Sequence, residues 1–439
     1  MADGFRYLSG KNPHGKKQEV KMENKQKIHY AWFILVGCCI LQGASLGLIN
    51  NCAGVFYSPV CQDLGFEMGK FTFYRMLFSI SSALALPMVA ACMRKMDVRI
   101  VISTAAVVFG VCNVAMGSFH ELWQWYVAGL IQGVASSFLC MIPAPILLAN
   151  WFHKKTGTAV GIAAAFSGLL GMVGSSGLGF TIPAFGWRAS YVIVGLLSMA
   201  MILPVSLFVL RYRPEDKNMR AYGASEDEPG ETGGKSDTGT DKKGMGLKEF
   251  LKQPVFYVAL LAYACSLAGS YLNMFLTSCG LSAGLPMKLA AMMTTLALLG
   301  NMSSKLVLGK SSDTFGVIRT LIGSVLIAEA GHFLLFLGIG KSTMVGAFLF
   351  GVTPPLSSVM LPLFCKMFWK GETYGTAYSY VSMFGTLLVS PFNSLFGYFY
   401  DVTGTYRLTI GVSGFLVFLV IVTALLGEAL LKRETLRVR

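Results

Sequence analysis

The chain has 439 residues, of which 54% are hydrophobic and only 13% are charged, and its mean hydropathy is +0.60. A soluble domain carries about 25% charged residues, so this composition excludes an ordinary soluble protein and indicates a polytopic membrane protein. A net charge of +14 by itself suggests a nucleic-acid partner, but the placement of the basic residues argues against one, because they lie in alternate loops of the predicted topology rather than in one patch.

Twelve apolar segments are each long enough to cross a hydrocarbon core, which takes about 20 helical residues. They predict spans at 30–56, 71–92, 100–118, 122–148, 157–181, 189–210, 254–276, 288–309, 319–339, 342–367, 374–398 and 408–431.

The polar segment 211–253 divides these spans into two groups of six. It is rich in Gly, Ser, Thr and charge, which is typical of a flexible linker. We therefore predict an all-α integral membrane protein with twelve transmembrane helices, in two six-helix bundles related by a pseudo-twofold axis. Its predicted parts are a tail (1–29), a bundle (30–210), the linker (211–253), a second bundle (254–431) and a tail (432–439).

Lys and Arg are distributed unequally over this topology. Of the 36, 29 lie in the tails, the linker and alternate loops, and only five lie in the other loops. The positive-inside rule then places both termini in the cytoplasm. The first 29 residues lack the apolar core of a signal peptide, so span 1 is expected to act as the insertion signal. We expect a monomer in the lipid bilayer of the plasma membrane, or inner membrane, of the cell.

The ten cysteines show neither a CxxC pair nor metal-ligand spacing. Cys61 and Cys279 fall in outward loops and can pair in an oxidising environment, or they can be small packing residues. The sequence predicts no metal and no cofactor. The polar residues form no pattern of catalytic groups, so we do not expect an enzyme.

Several polar residues interrupt the first two spans. Asn50 and Asn51 must find partners on another helix or in a water-filled cavity. Arg75 lies about one turn below the predicted outer surface. It can extend its side chain to the lipid headgroups, or it can form one arm of an anion-binding site.

Three landmarks of the first half recur 216–219 positions later, which indicates a tandem repeat of six spans. They are Asp97 and Asp313 in basic loops, Gly157 and Gly375 after spans 4 and 10, and Arg188 and Arg407 after spans 5 and 11. Both copies have the same orientation, so an axis along the membrane normal relates them. Arg99 and Arg319 accompany the two Asp loops.

These basic, Asp-containing loops after spans 2 and 8 resemble the signature of the major facilitator superfamily, although the first copy lacks the expected glycines. The sequences YVAGLIQG from Tyr126 and NWFHKKTGTAVGIA from Asn150, together with Gly186-Trp187-Arg188, resemble the oxalate/formate antiporter and monocarboxylate transporter branch. Gly54-Val55-Phe56-Tyr57 and YDVTGTY from Tyr400 agree with it. The resemblance implies a secondary active transporter of a small organic anion, such as a carboxylate, working by alternating access as an antiporter or with protons.

In that branch span 8 has an Arg at the position of Lys305 that binds the substrate carboxylate. A Lys can do so as a point charge. Asn301 and Asn51 stand where monocarboxylate transporters have an Asp involved in proton coupling and a Lys, respectively. Span 11, at 374–398, contains no basic residue, whereas the oxalate-type family has a Lys there. One central cation fits a mono-anion better than a dianion, unless Arg75 supplies a second charge.

Other polar residues in the spans are further candidates. Tyr126, Tyr271 and Tyr378 can line the site or serve as packing and interfacial residues. Glu329 and His332 are three residues apart, on one helical face, and are either proton carriers or a structural pair. The loops that contain Asp97, Arg99, Asp313 and Arg319 are candidates for closing the cytoplasmic side.

Two other functions fit the same sequence. The many Tyr, Met and Phe residues also suit an exporter of amphiphilic or drug-like compounds. A non-transporting membrane sensor or scaffold would show no substrate-dependent flux and would be expected to carry a signalling domain.

Overall fold

A computed structural model describes residues 9–11, 17–19, 29–141, 143–152, 156–217, 219–223, 247–338, 342–369 and 372–437. These residues are almost entirely helical. Two three-residue strands, Ser9–Lys11 and Lys17–Glu19, pair antiparallel within the N-terminal tail.

Nine helical stretches in the described ranges are long and apolar enough to cross a membrane. One of them holds two spans, because the helix Thr156–Pro204 is interrupted at Gly186, which has a φ of 81°. Two further helical segments, which are less apolar, complete the twelve spans: Met68–Lys95 and 372–403. The prediction of a twelve-helix integral membrane protein is confirmed.

The N-terminal half contains spans 1–6, which cover Tyr30–Leu64, Met68–Lys95, Val98–Met116, Leu122–Trp151 and the two parts of Thr156–Pro204, with Val205–Val209 ending span 6. The C-terminal half contains spans 7–12, which cover Pro254–Ser282, Met287–Phe315, Val317–Leu337, Ser342–Phe368, Glu372–Val389 with Phe392–Thr403, and Arg407–Arg437.

Span 1 continues well beyond its predicted end at residue 56. Tyr57–Leu64 form a further helix, one face of which is buried, including Tyr57 and Val60. A hydropathy pattern does not predict this helix, because the polar residues Gln62 and Asp63 on its exposed face lower the mean hydropathy.

Several spans bend where the regular ladder of helical hydrogen bonds is interrupted. Span 1 contains a π-helical segment, Gly43–Asn51, and span 7 contains a 3₁₀ segment, Tyr271–Phe275. Span 10 bends at Thr353–Pro355, and span 11 is divided at Pro391, because proline removes a backbone donor.

In the ranges that the structure describes, the two halves pack against each other toward one end of the molecule. The larger core includes residues of both halves, such as Phe56 and Phe275, whereas a second core around Phe256 and Phe364 belongs to the C-terminal half alone. We call the end that carries Met68 and Asp401 the closed end. The opposite end, with Asp97 and Lys310, is the open end.

The two ends of the predicted linker pack on the bundles. Asn150 and the Trp151 indole of span 4 donate hydrogen bonds to the carbonyls of Tyr212 and Arg211, both 2.9 Å long. At the other end of the linker, Phe250 is buried against Trp369. Residues 224–246, the most polar part, lie outside the described residues.

All ten cysteines are unpaired. Cys61 and Cys279, the only pair that the sequence suggested, are both buried. The structure therefore supports their alternative role as small packing residues.

Candidate functional site

Spans 2 and 11 meet at the closed end through one carboxylate. Asp401 accepts hydrogen bonds from the backbone N–H groups of Met68, at 2.8 Å, and Gly69, at 2.6 Å. These donors belong to the first turn of span 2, where they have no partner inside their own helix. Ser394 adds a hydrogen bond to the Gly69 carbonyl at 2.7 Å. The two halves are thus joined by hydrogen bonds at this end.

Spans 5 and 8 form the second contact between the halves. Ser175 donates to the Ala291 carbonyl at 2.9 Å, and the hydroxyls of Ser176 and Thr295 are 3.0 Å apart. Gly168 of span 5 lets the helices approach closely. A Cβ atom built there would lie 3.3 Å from Met302 of span 8.

Lys305 lies where this contact ends. Ala291, Thr295, Leu298 and Met302 follow one another at three- and four-residue spacing on the face of span 8 that meets span 5, and Lys305 is the next position on that face. Farther toward the open end, a Cβ built at Gly309 would have no atom within 4 Å. Lys305 is therefore placed at the point where the halves separate.

The Lys305 ammonium has no ion pair or hydrogen bond within the described ranges, and its side chain is partly buried. A cation in this position has lost part of its water and has gained no protein carboxylate in exchange. Such a group favours an anionic ligand.

The two asparagines predicted to accompany Lys305 lie along the seam, which is the contact between spans of the two halves, at different distances from Lys305. Asn301 is one turn away on span 8, and its Oδ1 is buried without a hydrogen-bond partner. The Asn51 side chain borders Gly171 of span 5, beside Leu298. Leu298 is seven residues, or about 10 Å, from Lys305 along the helix.

The three candidate tyrosines lie in different places. Tyr271 lies in the 3₁₀ segment of span 7, beside Ser79 of span 2 and Asn393 of span 11, which are hydrogen-bonded to each other across the seam at 3.4 Å. Tyr378 stacks on Tyr374 within the C-terminal half, with ring centroids 6.3 Å apart.

Tyr126 contacts span 2 of its own half. Its hydroxyl donates to the backbone carbonyl of Lys70 at 2.7 Å, and its ring contacts Phe73. Both partners belong to the first turns of span 2. Tyr126 thus joins spans 2 and 4 near the closed end of the N-terminal half.

Glu329 and His332 form a pair inside the C-terminal half. The His332 Nδ1 atom is 3.9 Å from a Glu329 carboxylate oxygen, and the imidazole is almost fully buried. Its Nε2 atom is 2.9 Å from the Ser413 hydroxyl, which donates to the Gly269 carbonyl at 2.9 Å. A polar chain therefore links span 9 through span 12 to span 7, next to the segment that begins at Tyr271.

Arg75 is buried, with 7% of its surface exposed, and it donates from Nη1 to Asn50 Oδ1 at 3.3 Å. This position excludes the alternative in which its side chain extends to the lipid headgroups. Asn50 in turn donates to the Cys140 sulfur at 3.5 Å, so its partners lie on spans 2 and 4.

The loop residues at the open end show mostly local contacts. Asp97 accepts a hydrogen bond from the Arg99 backbone at 2.9 Å and lies 3.8 Å from its guanidinium, at the start of span 3. Arg319 is exposed at the start of span 9. Asp313 lies in the last turns of span 8, and its side chain is outside the described part of the structure.

Sequence reasoning missed the residues that join the halves. The YDVTGTY sequence carried a resemblance, but nothing in it indicated that Asp401 contacts the start of span 2. Asn393 and Ser79 were equally hidden, since a single polar residue in a span has no distinctive spacing. Their role depends on which helices face each other.

The described helices have the arrangement of a membrane transporter, with two six-helix halves that contact each other at one end and show no such contacts at the other. Residues 39–301, more than half of the chain, match the model of the Major Facilitator Superfamily. The chain therefore belongs to the Major Facilitator Superfamily.

Two curated relatives agree with this assignment. The uncharacterized MFS-type transporter YhjX of Escherichia coli K12 is 23% identical over 364 residues, which cover 79% of this chain and 84% of YhjX. Monocarboxylate transporter 4 of Mus musculus is 24% identical over 168 residues, which cover 38% of this chain and 35% of the mouse protein.

Solved structures share the fold. A mutant of the nucleoside transporter NupG superposes with a TM-score of 0.69 at 11% identity, covering 90% of this chain and 99% of NupG. A bacterial homologue of the lysosomal transporter Spinster, in an inward-facing and occupied conformation, gives 0.66 at 14% identity, with coverages of 93% and 98%. At these identities the likeness concerns the fold alone.

Proposed function

We propose that the protein transports a small organic anion, and specifically a monocarboxylate, with Lys305 as the group that binds its charge. The observation that carries this proposal is the placement of Lys305 on the seam face of span 8, where the halves separate, without an anionic partner in the described chain. The partial match to a monocarboxylate transporter supports the same substrate class.

Charge compensation gives this site a mechanism. An unpaired cation within a membrane span is costly, and a bound carboxylate lowers that cost by forming a charge-assisted hydrogen bond. The substrate-bound site is then close to neutral, so it can be enclosed between the halves as they rock toward the other conformation. Asn301, Asn51, Tyr271 and Tyr378 are the proposed polar lining around the anion.

The depth of Arg75 favours a mono-anion. Spans 2 and 8 both start at the closed end; Arg75 is seven residues into span 2, about 10 Å, and Lys305 is eighteen residues into span 8, about 27 Å. A small dicarboxylate cannot reach both cations. We therefore assign the substrate charge to Lys305 alone. We place Tyr126, which contacts Lys70, outside this site.

The distribution of basic residues orients the protein. The open end carries the basic loops, among them the loop of Asp97 and Arg99, so we place this end in the cytoplasm. The conformation is then inward-facing. In the opposite conformation, the loops of Asp97, Arg99, Asp313 and Arg319 would contact each other and close the cytoplasmic side.

We propose Glu329 and His332 as the group that couples transport to protons. Their support is the buried Glu329 Oε1, which has no hydrogen-bond partner and lies 3.9 Å from His332 Nδ1, and the hydrogen-bond chain from His332 through Ser413 to Gly269. A change of protonation on span 9 would thereby affect span 7 beside Tyr271. Exchange of one anion for another, without protons, is the alternative coupling.

Uptake into proteoliposomes tests the substrate assignment. Labelled monocarboxylates and dicarboxylates are supplied to wild type, Lys305→Ala and Lys305→Arg, with and without internal counter-substrate. Loss of a charged hydrogen bond is expected to reduce monocarboxylate uptake about 10–100-fold in Lys305→Ala, with substantial recovery in Lys305→Arg.

Lys310→Ala is the matched control, because this exposed lysine lies on the same helix beyond the seam. It should transport like wild type. Folded, correctly inserted wild-type protein that moves no carboxylate would overturn the proposal, as would equal uptake by wild type and Lys305→Ala. Flux of amphiphilic compounds would then identify an exporter, and absence of any flux would favour a sensor.

A further inference from the structure

A small cavity lies inside the N-terminal half, apart from the seam site. Its walls come from spans 1, 2, 3, 4 and 6, and the centre of a water-sized particle can occupy ≈ 10 Å³ of it, so it has room for one small ligand. Its polar wall residues are Tyr74, Arg75, Asn113, Gln132 and Tyr191. The remaining wall is apolar.

Arg75 brings a positive charge into this cavity without a negative one. Its Nη1 atom donates to the neutral Asn50 amide, and its guanidinium lies over the Phe78 ring, 4.3 Å from the centroid. Its Nε atom is buried and has no hydrogen-bond partner. Arg75 makes no ion pair in the described part of the chain, so no carboxylate there compensates its charge.

A second buried donor borders the same cavity. Gln132 is 2% exposed, and its Nε2 atom has no hydrogen-bond partner. The phenol groups of Tyr74 and Tyr191 lie beside each other in the same wall. The walls therefore supply a guanidinium N–H and an amide N–H that have no hydrogen-bond partner, and both can donate to one small ligand.

We propose that this cavity binds a monatomic anion of the size of chloride. A single water would accept hydrogen bonds from Arg75 and Gln132 but would leave the buried charge uncompensated, which is the larger cost. A carboxylate, with three heavy atoms, exceeds the available space. The bound anion would contact Arg75 of span 2 and Gln132 of span 4 and would hold these two spans together.

This ion is separate from the transported anion. Lys305 is about 17 Å deeper from the closed end than Arg75, by the helical rise between their positions. The chloride ion is therefore expected to stabilise the N-terminal half without being carried through the seam. Variants of Lys305 distinguish the two sites.

Thermal unfolding in detergent tests the site, with chloride replaced by methanesulfonate at constant ionic strength. Methanesulfonate is too large for the cavity and is not a carboxylate. The wild-type Tm is expected to rise saturably with chloride, by about 2–4 °C at a concentration ten times the Kd. Arg75→Gln should remove this dependence, whereas Lys305→Gln should retain it.

Bromide supplies a direct measurement that needs no variant. Crystals of the wild type grown in bromide should give an anomalous peak within the cavity, between Arg75 and Gln132. Absence of a peak at saturating bromide would overturn the proposal, even if Arg75→Gln failed to fold. A chloride effect that persists in Arg75→Gln, or that disappears in Lys305→Gln, would also overturn it.

Discussion

The Asp401 carboxylate, at the end of span 11, accepts the backbone N–H of Gly69, in the first turn of span 2, at 2.6 Å. With the neighbouring Met68 N–H, it satisfies two donors at the positive end of a helix that belongs to the other half. This contact can exist only while the closed end remains closed. Asp401 therefore stabilises one of the two conformations that a transporter must visit.

Asp401→Ala is expected to shift the protein toward the conformation that is open at this end. Loss of two charge-assisted hydrogen bonds on an exposed carboxylate should change the ratio of the two conformations, closed and open at this end, about 5–30-fold. Distances between spin labels at Gln62 and Thr405, which are exposed on opposite halves, report the change in a cysteine-depleted background. Glu67→Gln is the control, because Glu67 pairs with Lys70 of its own half. An unchanged distance distribution in Asp401→Ala would show that the contact is incidental.

Gly179 and Gly177 of span 5 provide a test position and its control for the contact between spans 5 and 8. A Cβ at Gly179 would lie 3.0 Å from the Ala291 Cβ and 3.5 Å from the Lys288 Cα of span 8, whereas one at Gly177 would meet no atom within 4 Å. Gly179→Val should therefore separate spans 5 and 8 at the closed end and slow exchange transport severalfold. Gly177→Val should leave exchange nearly unchanged. Equal rates in the two variants would contradict close approach of these helices.

Asn301→Asp is expected to make uptake depend on pH. The new carboxylate lies four residues before Lys305 on the same face, where the two can form an ion pair. When it is ionised it competes with the substrate anion for Lys305; when acid protonates it, Lys305 is released. Uptake should thus rise as pH falls.

The control for this change is Asn301→Ala, which removes the amide without adding charge and should keep the pH profile of the wild type. Initial rates are measured between pH 5.5 and pH 8 without a pH gradient. A pH profile for Asn301→Asp identical to that of Asn301→Ala would argue that Lys305 does not bind the substrate.

Glu329→Gln tests the proposed proton coupling. The variant cannot take up and release a proton at this position, so a pH gradient should no longer drive net uptake, while anion exchange should continue. Glu428→Gln is the control, since Glu428 pairs with Lys432 on span 12 near the open end. Gradient-driven uptake that survives in Glu329→Gln would assign the Glu329–His332 pair a structural role.

Hydropathy and charge were sufficient to predict the architecture of this protein. Twelve apolar segments of bilayer length can satisfy their backbone groups only as helices, so the fold class follows from composition and length. The full length of span 1 was less predictable. The helix Tyr57–Leu64 was missed, because one face of it is polar and a window average does not resolve faces.

The candidate site was only partly predictable. Lys305 could be selected as a candidate because a charge within a span is rare and costly, and its presence can be read from the sequence alone. Tyr126 and Tyr271 were equivalent in sequence, yet the first contacts Lys70 of its own half and the second lies beside Asn393 of span 11. Such a difference depends on how each helix is rotated about its own axis. A nearly uniformly apolar span has no amphipathic pattern that would indicate this rotation.

By itself, the sequence determined the number of spans, the division into two halves and the presence of a buried cation in span 8, because each follows from the transfer of residues into lipid. The tertiary structure alone decided that Asp401 joins the halves, that Arg75 lies enclosed within one half and that Lys305 lies where the halves separate. These are relationships between helices far apart in the chain, and they are set by the packing of small side chains at close range.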